Sequence, residues 1–595
     1  MRKAVRSAMI MFGFAYRADP MRTTLYLIMT ILDRVGQTLI ALWLKLIIDG
    51  AIGGDTSLAI TGALAITFTL AAHELANWVA LVLRTTLVEK TGFALDLRLL
   101  ELSGETPGLE HHERPDYVKE LELLRAGRGQ LSRGSAGVIE FISLGIQMIT
   151  SGALLYRLHP SLLFLPLFAV PSLFASGKSE SIRQKRQEKL AEPNRAVRHL
   201  FGLTSSAGPA KEMRIFGLAD ELLRRYRRLW EDISAEQNRS ELQASGLTAG
   251  GWLVFAFGHI AAIIFVVVRA VDGLATAGDV ILALTLSGQV NQQVGGAAGL
   301  VGWLQRSLKV VGRYLWLEDY AANAARVRSE ELPPASIKTG IEITNLSFSY
   351  PGTDTEVLTD VTLSIPRGGV LAIVGENGAG KTTLVKLLCR FYEPTSGSIA
   401  VDGLDLGRLS PAQWRENMSA GFQDFIQFEL LLRETVGVGD VSKISDVSAV
   451  ERALQMANAS DVTSSLTNGL EAQLGKRFTD GTELSTGQWQ KLALSRAMMR
   501  PLPLLLILDE PTASLDVMTE SSLFERYVNA SRTMAQKNGG ITILVSHRFS
   551  TVRMADRIAV MEGGRMVELG THKELVDQRG LYAELYSLQA SAYRD

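Results

Sequence analysis

At 595 residues the chain is too long for one ordinary globular domain, so at least two folding units with sizeable cores are expected. A mean hydropathy of +0.14 lies above that of a typical soluble protein, yet 21% charged residues are too many for a chain embedded wholly in lipid. The 61 basic and 62 acidic side chains leave a formal charge of -1, which excludes both a global basic field for nucleic acid and an acidic excess of the disordered kind. Cys389 is the sole cysteine, so an intrachain disulfide framework, a Cys-rich metal site and an N-terminal cysteine peptidase domain are all excluded.

The opening MRKAVRSAMIMFGFAYRADP has a basic lead and a short apolar stretch without a small-residue cleavage site, and is read as a retained interfacial helix. Runs long enough to cross a bilayer, about 20 apolar residues each, fall at 21–48, 58–83, 137–155, 158–175, 247–268 and 280–304. Their connections alternate between short, at 49–57, 156–159 and 270–279, and long and charged, at 84–135 and 176–245. Arg2, Lys3, Arg6, Arg17 and Arg22 put the N-terminal segment, both long connections and everything after the sixth run on the cytoplasmic side. The expected organisation is an all-α transmembrane domain of six spans over 1–320, a polar linker with a Pro-Pro break over 321–340, and a second domain over 341–595.

In that second domain short apolar strands alternate with helices: IEITNLSFSY, VTLSIP, VLAIVG, SGSIAVDG, LLLILDE, ITILVSH and a hairpin turning at Gly563-Gly564. The pattern predicts an α/β domain with a largely parallel sheet. Strand 370–374 leads into Gly375-Glu376-Asn377-Gly378-Ala379-Gly380-Lys381-Thr382 and then a helix from Thr383, which is the phosphate-binding loop pattern in its required context. Glycines let backbone N–H groups close around a triphosphate, Lys381 supplies charge to the terminal phosphates and Thr382 offers a hydroxyl to Mg²⁺. Strand 504–508 ends in Asp509-Glu510, an acidic pair at the edge where such a loop opens. Asp509 is placed for Mg²⁺ and Glu510 for the attacking water.

Between these motifs stands Leu484-Ser485-Thr486-Gly487-Gln488, which resembles the LSGGQ signature of ATP-binding cassette (ABC) transporters. Tyr350 resembles the family's adenine-stacking aromatic, Gln423 its Q-loop glutamine, Ser514-Leu515-Asp516 its D-loop and His547 its switch histidine. Alone, each of these would be read as strand packing or surface polarity; their joint order over 341–585 reverses that reading. Six preceding spans resemble the half-transporter exporters, and ELSTGQWQKLALSRA is similar to a bacterial branch exporting lantibiotics and other modified peptides. The resemblance implies ATP and Mg²⁺ as cofactors. Glu510, His547 and Gln423 would be catalytic. Tyr350, 375–383, 485–488 and Asp516 would bind nucleotide, and Thr382, Gln423 and Asp509 would hold the metal. It also implies an inner-membrane, multi-pass exporter with a cytoplasmic nucleotide domain, working as a homodimer whose sites pair one copy's phosphate loop with the other's signature. Thr486 departs from the family's glycine, and a β-branched residue restricts backbone angles that glycine permits.

The family's coupling helices are expected near 109–124 and 211–223. His111-His112, without further ligands, reads as a pair of loop residues, and Cys389 as a packing residue on the helix after the phosphate loop. Polar groups in the spans include Asp33, Arg34, Gln37, His73, Glu74, Asn77, Glu140, Gln147 and His259; they either pair between helices or line a cavity. Gln289, Gln292, Gln293 and Gly296 share a helix face and are the candidates for a pathway. Mixed polarity favours a peptide or amphipathic cargo. A lipid flippase on the same scaffold is the alternative, and an ATP-driven sensor is disfavoured by the retained Glu510 and His547. An importer is disfavoured by the fused order of domains, and an ATPase acting on nucleic acid by the spans and the charge balance.

Overall fold

The structure, a computed structural model, describes residues 2–104, 106–326, 331–510 and 517–592. It divides into two compact units, Met1–Ser103 with Glu120–Asp319, and Gly104–Lys119 with Tyr320–Asp595.

The first unit is helical. Arg2–Ala18 precedes Pro20–Gly53, which starts where Asp19 accepts a hydrogen bond from Arg22 N–H at 3.1 Å with proline at the first helical position, and stops at Gly54 with φ +71°. Thr56–Gly104, Pro115–Ser132, Gly134–Leu158, Val170–Lys189, Ala191–Ser205, Ala207–Ile215, Ala219–Val271 and Ala277–Arg326 follow. The charged stretches 84–135 and 176–245, read from the sequence as long connections, are mostly continuations of these helices. Interhelical ion pairs such as Arg183–Glu241 at 2.6 Å and Arg128–Asp96 at 2.9 Å hold them beyond the apolar spans. The run 158–175 is not one α-helix. Pro160–Ala169 is 3-10, with Pro166 inside it lacking the amide donor an α-helix would use, and an α-helix resumes at Val170.

Among the described residues five helices are long and apolar enough to cross a membrane, where six were expected. Ala277–Arg326 has the length, at 50 residues, but Gln289, Asn291, Gln292 and Gln293 dilute its apolar stretch. Phe68, Phe174 and Phe257 stand 76%, 77% and 73% exposed on the other spans, a surface that lipid covers at no cost and water does not. Close helix packing relies on absent side chains, as at Gly258, where a Cβ would collide with the Phe168 ring.

The second unit holds two sheets where the sequence pattern suggested one. Strands β1 (Gly340–Ser349), β2 (Glu356–Pro366), β4 (Ser396–Val401) and β5 (Leu404–Asp405) form an antiparallel sheet in the order β2-β1-β4-β5. The other runs β10-β9-β3-β8-β7-β6, from β3 (Val370–Val374), β6 (Met418–Gly421), β7 (Leu505–Asp509), β8 (Ile541–Val545), β9 (Arg557–Glu562) and β10 (Arg565–Gly570). It is parallel except for the β9–β10 hairpin. β6, four residues long, has no counterpart in the sequence reading; Met-Ser-Ala-Gly is too short and too small to register as an apolar run. β7 and β8 are buried along their whole length, as strands covered on both faces must be. Cys389 caps the helix Lys381–Leu388 rather than lying within it, and is buried in the core with Leu384, Leu387 and Leu388; burial pushes its thiol up to about 12.

Gly104–Lys119 belongs to this unit. Leu109 N–H donates to Phe391 O at 3.2 Å and Glu113 lies 3.5 Å from Lys386. His111 and His112 occupy the short helix Glu110–Glu113, not a loop. His111 is 1% exposed, 5.1 Å from the Tyr117 ring, and burial together with the neighbouring His112 pushes it down to about 4.

Candidate functional site

β3 delivers the chain into a turn that only glycine accommodates at its critical points. Gly378 and Gly380 have φ of +84° and +95°, and a Cβ on Gly380 would press to 2.5 Å from Leu358 Cδ2. Glu376, Asn377 and Gly378 are exposed at the crest while Ala379 anchors the turn in the core. The helix Lys381–Leu388 then points its first N–H groups into the turn, the arrangement that attracts anions. Lys381 is buried and donates from Nζ to Gly375 O at 2.7 Å and Glu376 O at 2.8 Å. Burial holds its ammonium below the usual lysine range, against the opposing pull of Glu510 and Asp509.

β7 ends at Asp509, which is 2% exposed. Its Oδ2 accepts from Thr382 Oγ1 at 3.2 Å, and its Oδ1 is buried with no hydrogen-bond partner among the described residues. Burial pushes the carboxyl up to about 6. The Thr382 hydrogen bond and the Lys381 charge oppose that rise, while Glu510 and Asp424 add to it. Asp424 was not singled out from the sequence, although it directly follows Gln423.

Glu510 adopts φ +47°, an unusual conformation for a non-glycine residue, and its N–H donates to Val545 O at 2.9 Å. That turn carries the side chain out of the strand line to two partners: Gln423 Nε2 donates to Oε2 at 2.7 Å, and His547 Nδ1 lies 3.1 Å from Oε1. Lys381, Thr382, Asp509, Glu510, Gln423 and His547, drawn from positions 381 to 547, thus form one connected group at the C-terminal ends of β3, β6, β7 and β8, where open α/β sheets bind ligands.

Tyr350 stands beside it, its hydroxyl 3.1 Å from Thr383 Oγ1 and its ring edge-on to Phe348 and Tyr392 at 5.0 and 5.3 Å. Lys386 Nζ sits 5.3 Å from the Tyr350 ring centre, a cation–π neighbour one helical turn beyond the phosphate loop that the sequence reading did not single out.

Ser485 is the N-cap of the helix Thr486–Ala497, with a reciprocal capping box: Gln488 N–H donates to Ser485 Oγ at 3.3 Å and Ser485 N–H to Gln488 Oε1 at 2.9 Å. Thr486 and Gly487 open that helix with ordinary helical geometry, so the backbone freedom of glycine is not used at position 486. Ser514, Leu515 and Asp516 lie outside the described residues.

In the first unit the polar side chains divide. Gln147 Nε2 donates to Gln37 Oε1 at 3.0 Å, Gln289 Nε2 to Gln37 O at 2.8 Å and Gln293 Nε2 to Ser151 Oγ at 2.8 Å. Asp33 pairs with His73 at 2.8 Å. Gln293 is buried, whereas Gln292, from the same expected stripe, is exposed.

Among families of known proteins, the model described as ABC transporter matches residues 358–513. The chain is 33% identical over 502 residues to the ATP-dependent lipid A-core flippase of Xanthomonas campestris pv. campestris (strain 8004), covering 83% of this chain and 82% of the flippase. It is 28% identical over 509 residues to the subtilin transport ATP-binding protein SpaT of Bacillus subtilis, covering 83% and 79%. Against the lipid A-core flippase of Pseudomonas fluorescens (strain Pf0-1) the identity is 34% over 331 residues, and the chain spans about half of that relative, 53%. A solved structure of a bacterial Atm1-family ABC exporter with ATP bound superposes with a TM-score of 0.78 at 20% identity, over 96% of this chain and 99% of that one.

Proposed function

This chain belongs to the ABC transporter family, and from that premise we propose that two copies of it export a peptide or amphipathic compound. It is a multi-pass membrane protein whose ABC ATPase drives export, and half-transporters of this family function as dimers.

The observation that carries the catalytic reading is the double hold on Glu510 by Gln423 and His547. A carboxylate fixed at both oxygens beside a phosphate-binding turn is oriented to polarise water toward a terminal phosphate. The backbone N–H groups of 375–383 would cradle the triphosphate. Lys381, now spanning two carbonyls of its own loop, would turn its ammonium to the phosphates. Tyr350 would stack on adenine. Ser485, with Thr486, Gly487 and Gln488 at a helix N-terminus, would meet the terminal phosphate bound by the opposing copy; the family resemblance alone assigns Asp516 to nucleotide binding.

Mg²⁺ fits the residues present. Asp509 has a buried oxygen without a hydrogen-bond partner among the described residues and Thr382 a hydroxyl beside the carboxylate, hard oxygen donors of the kind this ion takes; Gln423 would be the third protein contact. When bound, the cation neutralises charge developing on the phosphates.

One copy each of phosphate loop and signature supports a dimer, and the retained Lys381, Gln423, Ser485, Glu510 and His547 support a homodimer with two equivalent sites. The basic N-terminal segment supports insertion in the cytoplasmic membrane with the ATPase inside the cell. Lipid translocation is the second reading, because named relatives divide between a subtilin transporter and a lipid A-core flippase. ATPase stimulation of the reconstituted protein across peptide, lipid and drug panels tests the proposal. Stimulation by peptides or amphipathic drugs supports it, and ATP-dependent lipid flipping without response to either replaces it by the second reading.

A further inference from the structure

The first unit contains two cavities that share a wall. One, of about 100 Å³, is bordered by Arg34, Gln37, Gln289 and Gln292; the other, of about 630 Å³, by Arg84, Arg133 and Trp303; Glu140, Gly296 and Leu300 line both. The glycines keep that wall open, since a Cβ at Gly299 would meet nothing within 4 Å and one at Gly296 only Leu144, at 3.9 Å.

The charges on these walls do not balance. Three guanidinium groups face one carboxylate, Glu140, which lies 3.8 Å from Arg84. Asp33, adjacent to Arg34 in the chain, feels the Arg34 charge but lies against His73 at 2.8 Å, and neither it nor Glu74 borders either cavity. Arg34 sits roughly 20 Å along its helix from Pro20 at 1.5 Å per residue, well into the span. Its Nε is buried with no hydrogen-bond partner among the described residues, and so is Oε1 of Gln289. A half-buried guanidinium in a span is expensive unless something pairs with it, and these two cavity walls offer one carboxylate to three guanidinium groups.

We propose that the two cavities form one cargo site that selects an amphiphile carrying an anionic group, phosphate or carboxylate, held by Arg34, Arg84 and Arg133 while Gln289 and Gln292 bond its polar body. This rests on the export reading and narrows its cargo. Guanidinium pairs with both oxyanions in a forked geometry, and does so most strongly where water is scarce. A cationic cargo would instead add like charge to an already positive wall, and a zwitterion would bring a cation with its anion.

The test uses the full-length protein in phosphatidylcholine nanodiscs. Binding is read by tryptophan fluorescence, ATPase stimulation alongside it, for lysophosphatidic acid against lysophosphatidylcholine of the same acyl chain, and for acidic against basic amphipathic peptides. The wild type should prefer an anionic member of at least one pair by about tenfold or more, the value of one desolvated ion pair; which pair responds tells whether lipid or peptide supplies the anion. Arg34→Gln with Arg84→Gln should reduce that preference to within about twofold, and Arg34→Lys, which keeps the charge, should retain most of it. Thermal melts and size exclusion identify any variant that misfolds, and the lysine variant and the wild-type comparison then decide the matter. Equal or tighter binding of the zwitterionic and basic probes by the wild type overturns the proposal, as does an undiminished preference in the folded double variant. Failure of the export reading looks different: no amphiphile of any charge would stimulate hydrolysis or be translocated, while the binding preference would remain measurable.

Discussion

Gln423 and Glu510, 87 positions apart, meet in a hydrogen bond of 2.7 Å from Nε2 to Oε2. Gln423 lies just beyond the end of β6, and Glu510 just beyond β7, its neighbour in the sheet. On the proposed function the glutamine would have two competing uses, restraining the carboxylate or contacting a cation at Asp509, and nucleotide binding would shift it from the first to the second.

Glu510→Gln keeps the shape of the side chain but removes the charge proposed to polarise water. Hydrolysis by the purified protein should fall by about a hundredfold or more while Mg-ATP affinity stays near wild type, because the phosphate turn is untouched. Turnover close to wild type in this variant would take Glu510 out of the mechanism.

A composite site predicts rescue in mixtures. Ser485→Ala and Lys381→Ala homodimers should each be nearly inactive, whereas a mixed dimer joins both lesions in one site and leaves the other intact. Activity well above either parent, read with two affinity tags to isolate the mixed species, is expected. A mixed dimer as inactive as its parents would argue that each copy completes its own site.

His111 makes the stability of the second unit depend on pH. Its folded value is about 4 against 6.5 in a model peptide, so the unfolded chain binds the extra proton first as pH falls. The contribution of the neutral, buried ring is full above pH 6.5 and is lost progressively down to about pH 4, by up to about 3 kcal/mol at 1.36 kcal/mol per unit. His111→Phe, which preserves an aromatic against Tyr117, should flatten the difference between melting curves taken at pH 7.5 and pH 5. Parallel pH profiles for wild type and variant would show that the histidine is not the group responsible.

The glutamines of helix Ala277–Arg326 should separate by phenotype. Gln293→Ala breaks a buried hydrogen bond to Ser151 and should lower stability by about 1 kcal/mol. Gln292→Ala, at an exposed position on the cavity wall, should leave the melting temperature alone and change which compounds stimulate ATPase. The opposite pattern would return Gln292 to helix packing.

Local chemistry made much of this legible from the residues alone. The turn 375–382 is readable because phosphate recognition by backbone N–H groups needs glycine at set positions, and the spans because a bilayer demands long apolar runs. What local pattern could not reach was anything that depends on a partner distant in the chain. The second sheet was invisible because antiparallel and parallel strands share the same period of two. The strand Met418–Gly421 was missed because its burial comes from neighbours rather than from its own side chains. The cost of Thr486 depended on a backbone angle that only the capped helix sets, and it proved to be an ordinary one.

The sequence by itself determined the family and the two kinds of domain, and it named the residues proposed for the nucleotide site, since covalent order and residue chemistry suffice for that. Tertiary structure alone decided how those residues are shared out. It committed Gln293 to Ser151 while leaving Gln292 exposed, tied both oxygens of Glu510, and left the Arg34 Nε buried with no hydrogen-bond partner among the described residues. Hydrogen bonds and ion pairs are short-range and compete for a few partners. Which one a side chain makes is therefore set by packing and not by its place in the chain.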